Sequence, residues 1–361
     1  MVRFKETGDD SFFGQWLYEQ IVPPDHFLCK LNQVLDWECF TRKLLRYYKG
    51  AGQVGSPPYN PVLLLKMLLV SYLYNLSERQ VEEVANFHLP VKHFLGLAVN
   101  QPAPDHSTLT LFKERLLAHR EGKPFRELLE EMVRQAKAQG VVFGKLQIID
   151  SVHSQADVNP QKEGGRRREG KPPRDPEATW KVKRDKGQKE ERVLGHKLQV
   201  SLNQGTELIT SLLAVPAREY DGKRLPELVK EDLAQGIPIE IVAADKGYDD
   251  GDNHYFLECR GIASAIKLNE YRTKKKDKNK GWEKQKGSAE YQQGLRQRHR
   301  IEAKFGEMKK WHGFGRCRYV GRLRYAVQAY CTVLAVNLKR LVKLIFRVGF
   351  RWGWKPRLSM S

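Results

Sequence analysis

Two short apolar runs in this chain each end on an aspartate: Ile148-Ile149-Asp150 and Ile241-Val242-Ala243-Ala244-Asp245. Unbroken apolar runs of this length, rich in β-branched residues, suit strands covered on both faces. Each therefore reads as a buried strand with an acid at its end. The chain must then build a sheet whose interior is apolar and whose strand ends carry carboxylates.

A third acid stands in the stretch from Leu295 to Gly313. Read as a helix at about 100° per residue, Arg298, Glu302 and Lys309 fall within about 40° of one another, beside an apolar stripe of Ile301, Phe305 and Met308. Gly313 is placed to end this helix, since glycine accepts the left-handed conformation of a C-terminal cap. The plain alternative is a solvated amphipathic helix carrying one Arg/Glu i,i+4 pair.

The rest of the chain divides by periodicity. Up to residue 140 the pattern is helical: Trp16, Phe27, Leu31, Leu35, Trp37, Phe40 and Leu44 suggest short packed helices, and Gly50 to Pro58 reads as a loop. Pro61 suits a first helical turn, Val62 to Leu76 is almost wholly apolar, and Ser77 to Gln80 has the capping-box pattern. Further helices are expected from about Asp105 or Ser107 to Leu116 and from Phe125 to Ala138. Such a domain fits either a helix-turn-helix reader or a plain bundle. From Val141 the pattern changes to strands over Val141–Asp150, His196–Leu202, Glu207–Pro216, Ile237–Asp245 and Ile262–Leu268, with helices over Asp221–Leu233 and Asp252–Arg260. The expected fold is α/β, a mixed five-stranded sheet with flanking helices after an all-α N-terminal domain. Tyr325 to Phe346 reads as a helix packed on the sheet.

Two segments, near 161–191 and 270–290, are too polar to build a core and read as mobile loops in the free protein. They hold Arg166-Arg167-Arg168 and Lys274-Lys275-Lys276, with Trp180 and Trp282 among the cations. A formal net charge of +20 over 361 residues favours a polyanion. The basic residues are spread over several segments, which suits nucleic acid better than a membrane surface. Such loops would order on phosphates, and the tryptophans could stack on an unpaired base. The five cysteines show no CxxC spacing, so neither a zinc knuckle nor a disulfide framework is expected. The apolar run Ala326–Val336 is too short to span a bilayer. A reducing, cytoplasmic setting is expected, and residues 347–361 read as a basic tail.

Taken together these motifs resemble the insertion-sequence DDE transposases. That family writes its third acid in a helix as Y-(2)-R-(3)-E-(6)-K, and Arg298, Glu302 and Lys309 match the last three positions; Leu295 departs from the tyrosine. Ala244-Asp245-Lys246-Gly247-Tyr248-Asp249 resembles the family's A-D-x-G-Y-D segment, and the run from His312-Gly313 through Arg318-Tyr319 to Ala335-Val336-Asn337-Leu338-Lys339 its C-terminal region. Pro61 to Leu116 is similar to the InsH-type helical domain.

The resemblance implies an RNase H-like catalytic domain over 141–346 and an end-binding helical domain over 1–140. It implies catalytic acids Asp150, Asp245 and Glu302 holding two Mg²⁺ ions, for which Mn²⁺ can substitute, with Asp150 bridging both. Water and then the freed 3′-hydroxyl would attack in turn. Arg298, Lys309, Lys246, Arg166 to Arg168 and Lys274 to Lys276 would hold double-stranded DNA, both terminal inverted repeats and target. A homodimer on DNA and a nucleoid-associated location follow from cutting two ends together. A catalytically silent DNA binder and a nuclease that never joins strands are the alternatives.

Other acids compete for these roles. Asp157 lies near Asp150, and Asp249, Asp250 and Asp252 follow Asp245; the last two are placed to cap a helix. His153 and His196 read as hydrogen-bonded structural residues. Asp105-His106-Ser107 cannot form a triad, because adjacent residues do not reach that geometry.

Overall fold

The structure, a computed structural model, describes residues 4–5, 8, 12–48, 57–119, 122–183, 191–269 and 285–347. It divides into two units: Met1–Gly140 together with the residues from Cys331 on, and Val141–Tyr330.

The first unit is helical, with α1 (Phe12–Ile21), α2 (Phe27–Val34), α3 (Trp37–Leu45), α4 (Pro61–Tyr74), α5 (Glu78–Phe87), α6 (Leu89–Leu95), α7 (His106–Leu117) and α8 (Lys123–Ala138). Its centre is α4, buried on all sides from Leu63 to Leu73. Local chemistry sets the ends of that helix. The Asn60 side chain accepts the Val62 N–H, Pro61 occupies the first turn, and Asn75 closes the helix at φ 55°. At α5 the expected capping box forms, Ser77 and Gln80 satisfying each other's backbone N–H groups. Asp105 caps α7, accepting the Thr108 N–H at 2.6 Å, while His106 sits 2.7 Å from Glu82. Asp105-His106-Ser107 is thus a helix start.

The second unit is a mixed sheet of β1 (Leu146–Gln155), β2 (Thr179–Lys183), β3 (Glu191–Asn203), β4 (Ile209–Pro216), β5 (Ile241–Ala244) and β6 (Ala263–Ile266). With these come α9 (Pro160–Arg168), α10 (Leu225–Ala234), α11 (Gly251–Glu258), α12 (Ala289–Gln297), α13 (His299–His312) and α14 (Arg322–Phe346). β1 pairs antiparallel with β3 and parallel with β5, β5 pairs parallel with β6, and β3 pairs antiparallel with β4. The path β4-β3-β1-β5-β6 is the RNase H-like order, its strands interrupted by helices where parallel neighbours must be joined. α14 belongs to this unit up to Tyr330, where the Tyr325 ring stacks on His196 with centroids 5.1 Å apart.

Among the described residues the sheet has six strands, one more than the five expected. The sixth, β2, comes from the segment read as a mobile loop, which also contains α9. β2 takes over from β4 along β3, pairing Thr179 with Gly195 where β4 stops at Pro216 opposite His196. The segment is held by a few buried groups. Ala156, Val158, Ala178 and Leu194 form a small apolar cluster against which Trp180 and Val320 pack. Buried Asp175 accepts from the Ala178 N–H at 3.0 Å and lies 3.0 Å from His196 Nε2, and buried Glu163 accepts the Arg174 N–H. Trp180 is therefore a packing residue here. Trp282, Lys274, Lys275, Lys276 and the tail beyond Arg347 lie outside the described residues.

The stretch from Leu295 to Gly313 is two helices rather than one. α12 and α13 meet at Arg298, which keeps helical angles of φ −55° and ψ −36°. Gly313 caps α13 at φ 66°, as expected. Gly294 explains how close α12 comes to the sheet: a Cβ there would collide with the Ala265 methyl of β6 and crowd that of Ala243 on β5 at 3.2 Å. Gly294→Ala should therefore cost about 1–3 kcal/mol, the usual penalty for overpacking a close contact. Denaturant unfolding measures it, and an unchanged midpoint would mean that the helix backs away freely.

Candidate active site

The register of β1 and β5 places the first two acids side by side. Their parallel pairing ends at Ile149 opposite Ala244, so Asp150 and Asp245 are the next residue on each strand. Asp150 does not end β1, however. Along the other edge β1 continues against β3, with Asp150 opposite Val200, until Gln155 opposite Gly195. The reading of Asp150 as a strand-end residue holds only for the β5 side. Asp150 is consequently better covered than Asp245, and the Glu302 of α13 is the most exposed of the three: their side chains are 18%, 39% and 58% accessible.

Arg298 brings the three together. Its Nη1 lies 3.7 Å from Asp150 Oδ2 and 4.0 Å from Asp245 Oδ1, and its Nη2 lies 3.3 Å from Glu302 Oε1. The first two are ion pairs without hydrogen-bond geometry. The Glu302 pair, on an exposed helix turn, adds little stability. Asp150 differs because it is desolvated: burial pushes its carboxyl up to about 6, the Ser151 N–H and Arg298 opposing the shift and the charges of Asp245 and Asp221 adding to it.

Asp221 was not legible as a site residue. It opens a 3₁₀ turn after β4, and its Oδ1 accepts from buried Lys197 Nζ at 2.5 Å and from Ser151 Oγ at 3.1 Å. Asn253 fastens that turn to the one after Asp245, its Nδ2 donating to Gly222 O and Tyr248 O, both at 3.0 Å. The only sequence signal is an acid some way past a strand, with Ala217-Arg218-Glu219-Tyr220 between strand and acid.

The competing carboxylates have other work. Asp157 pairs with Arg316 at 3.2 Å, Asp249 meets His254 at 2.9 Å and accepts the Asn269 N–H at 2.7 Å, and Asp250 caps α11. His153 accepts from Lys181 at 2.7 Å, and His196 is the buried partner of Asp175. Lys246 and Lys309 are exposed. Arg166, Arg167 and Arg168 donate to the carbonyls of Pro172, Ala178 and Gly164, so these guanidinium groups already brace their own segment.

Three carboxylates are a suitable donor set for hard divalent ions, which prefer oxygen ligands. Their spacing is that of groups around a guanidinium: among the described residues no three of His, Cys, Asp and Glu form a ready-made metal cluster. A cation already stands at the centre in the form of Arg298.

Against known families, residues 143–338 match the Transposase DDE domain, and residues 17–115 match the Transposase domain (DUF772). Among solved structures, the piggyBac transposase synaptic complex with hairpin DNA is similar with a TM-score of 0.43 at 8% identity, over 94% of this chain and 78% of that one. The Mos1 transposase paired-end complex with left transposon end scores 0.20 at 13% identity, over 82% of this chain and 92% of that one. At such scores the fold rests on the strand order itself.

The raised carboxyl of Asp150 has a definite sign. Its contribution to stability is fully present below the unfolded value of 3.8 and is lost as pH rises through about 6. Asp150→Asn should therefore stabilise the protein in chelator at pH 8 by roughly 1–3 kcal/mol and change it little at pH 4. Thermal unfolding at the two pH values checks this; equal shifts at both would mean that Asp150 titrates as an ordinary carboxylate.

Proposed function

Since the chain belongs to the DDE-domain transposase family, we propose that it cuts DNA at the ends of an insertion sequence and joins those ends to a target, with Asp150, Asp245 and Glu302 as its catalytic acids. The observation that carries this reading is the gathering of three acids from remote stretches within 4.0 Å of the Arg298 guanidinium.

The three carboxylates would hold two Mg²⁺ ions, or Mn²⁺ in their place. Bound there, such ions would supply the positive charge that the attacking and leaving oxygens of a phosphodiester need. The chain's own part is to place these oxygens. Asp150 and Asp245, side by side where β1 and β5 part, form a rigid base, and Glu302 closes the site from α13, the helix that follows α12, which Gly294 lets lie against the sheet. Arg298, Lys309 and Lys246 would hold backbone phosphates. Ser151 and Asn253 keep the neighbouring turns in place. No side chain need serve as nucleophile, because water and then a 3′-hydroxyl can attack.

The partner is double-stranded DNA, terminal inverted repeats and target alike. A charge of +20 supports this. The helical unit, whose residues 17–115 match a transposase domain of its own, would read the repeats. Arg166 to Arg168 and Lys274 to Lys276 would add phosphate contacts, and a homodimer would hold two ends at once. No helix among the described residues is long and apolar enough to cross a membrane. A nucleoid-associated, cytoplasmic place goes with the proposal.

A strand-transfer assay on labelled ends tests the reading. Joined product supports it, cleavage alone would favour a nuclease, and retention without product a silent binder, the reading to which Leu295 at the tyrosine position would then be relevant. Asp150→Ala, Asp245→Ala and Glu302→Ala should each lower cleavage by on the order of 10³-fold or more while retaining DNA at low salt. A variant that cuts at the native rate removes its residue from the set. DNA affinity should fall about 10³-fold between 50 and 200 mM salt if about six phosphates are contacted; a flat response would point to another partner.

A further inference from the structure

We propose that Arg298 is a built-in counter-ion that assembles the three acids and must leave them before a divalent ion can bind. The inference rests on the reading of Asp150, Asp245 and Glu302 as metal-holding acids. Its own basis is the position of one guanidinium, which touches all three groups and forms a tight pair with none.

A bidentate arginine–carboxylate pair closes at about 2.7–2.9 Å. Here the three contacts are 3.3, 3.7 and 4.0 Å, made by two nitrogens to three different carboxylates. Arg298 thus acts on the group as a shared charge, and each pair is loose enough to be exchanged. A Mg²⁺ ion sits about 2.0–2.1 Å from its oxygens, so an ion shared by these carboxylates needs the space where the guanidinium lies. The two cations cannot occupy it together.

Charge counting gives the same answer. Asp150, Asp245 and Glu302 converge, and Asp221 adds a fourth carboxylate beside Ser151. Lys197, buried on β3, is engaged by Asp221 and by Glu219 O. Among the described residues Arg298 is a cation in contact with all three acids, and without it they would repel one another more strongly next to a desolvated strand. Its backbone is fixed between α12 and α13, the N–H donating to Gly294 O at 3.1 Å. The long side chain can still swing about that anchor, and it is partly open to solvent at 22%. Freed from the acids, the guanidinium becomes available to a DNA phosphate. Arg298 is in this sense a positioning residue first and a phosphate ligand second.

The test is Mn²⁺ binding to the chelator-stripped full-length protein, followed by electron paramagnetic resonance of the free ion. Arg298→Gln should bind Mn²⁺ about five- to tenfold more tightly, because a competitor is gone, with Arg298→Lys between it and the native protein. Arg298→Gln should also unfold at lower temperature in chelator and recover on adding Mn²⁺. Unchanged or weaker Mn²⁺ binding overturns the proposal. Should the variants fail to fold, the native protein labelled with ¹⁵N-arginine still decides the matter: the Arg298 Nε–H resonance must move with Mg²⁺ at the midpoint of metal binding, and a resonance that stays put overturns it. Failure of the functional reading is separate, being a native protein that exchanges Arg298 for metal and yet cuts no DNA.

Discussion

Converging carboxylates repel one another unless a cation or a proton offsets their charge, and Arg298 is a cation in contact with all three of Asp150, Asp245 and Glu302. Its contacts with Asp150, Asp245 and Glu302 join a central strand, the turn after a second strand and a helix from much later in the chain. The surrounding architecture serves this meeting. Parallel pairing of β1 with β5 fixes two acids as neighbours, and the missing side chain at Gly294 lets α12 press on β5 and β6 so that Arg298 reaches over them. A sheet does this better than a bundle because register, once set by a buried face, leaves no freedom to slide.

The same region holds an acid where its charge is disfavoured. Asp150 is held in a place that disfavours its charge, with Asp221 nearby making matters worse. Apolar strands around it supply the stability that the acids forgo, and the Lys197, Ser151 and Asn253 contacts stop the turns from relaxing. Groups whose titration is perturbed by burial and a specific charge partner cluster at functional sites.

Much of this was legible in the sequence, for identifiable reasons. Ile148-Ile149-Asp150 and the run ending at Asp245 announced themselves because burial on two faces leaves an unbroken apolar signature. Arg298 and Glu302 were legible from helical spacing, which survives the junction between α12 and α13 because Arg298 keeps helical angles. The described residues 161–183 of the polar segment were not. They are held by single apolar residues contributed by separate stretches, Ala156, Val158, Ala178 and Leu194, and by buried Asp175 and Glu163, which look solvated in a sequence rich in charge. Asp221 was missed for a similar reason: its importance comes from Lys197 and Ser151 on other strands. Periodicity reports what one element buries and is silent on what another element brings to it.

The central claim is that three distant acids form one seat for divalent ions. Anomalous scattering from crystals of the full-length protein grown with Mn²⁺ and a DNA end tests it most directly. Peaks ligated by Asp150, Asp245 and Glu302, with the Arg298 guanidinium turned away toward a phosphate, are the predicted result. Manganese bound elsewhere, with Arg298 still seated among the three carboxylates, would contradict it.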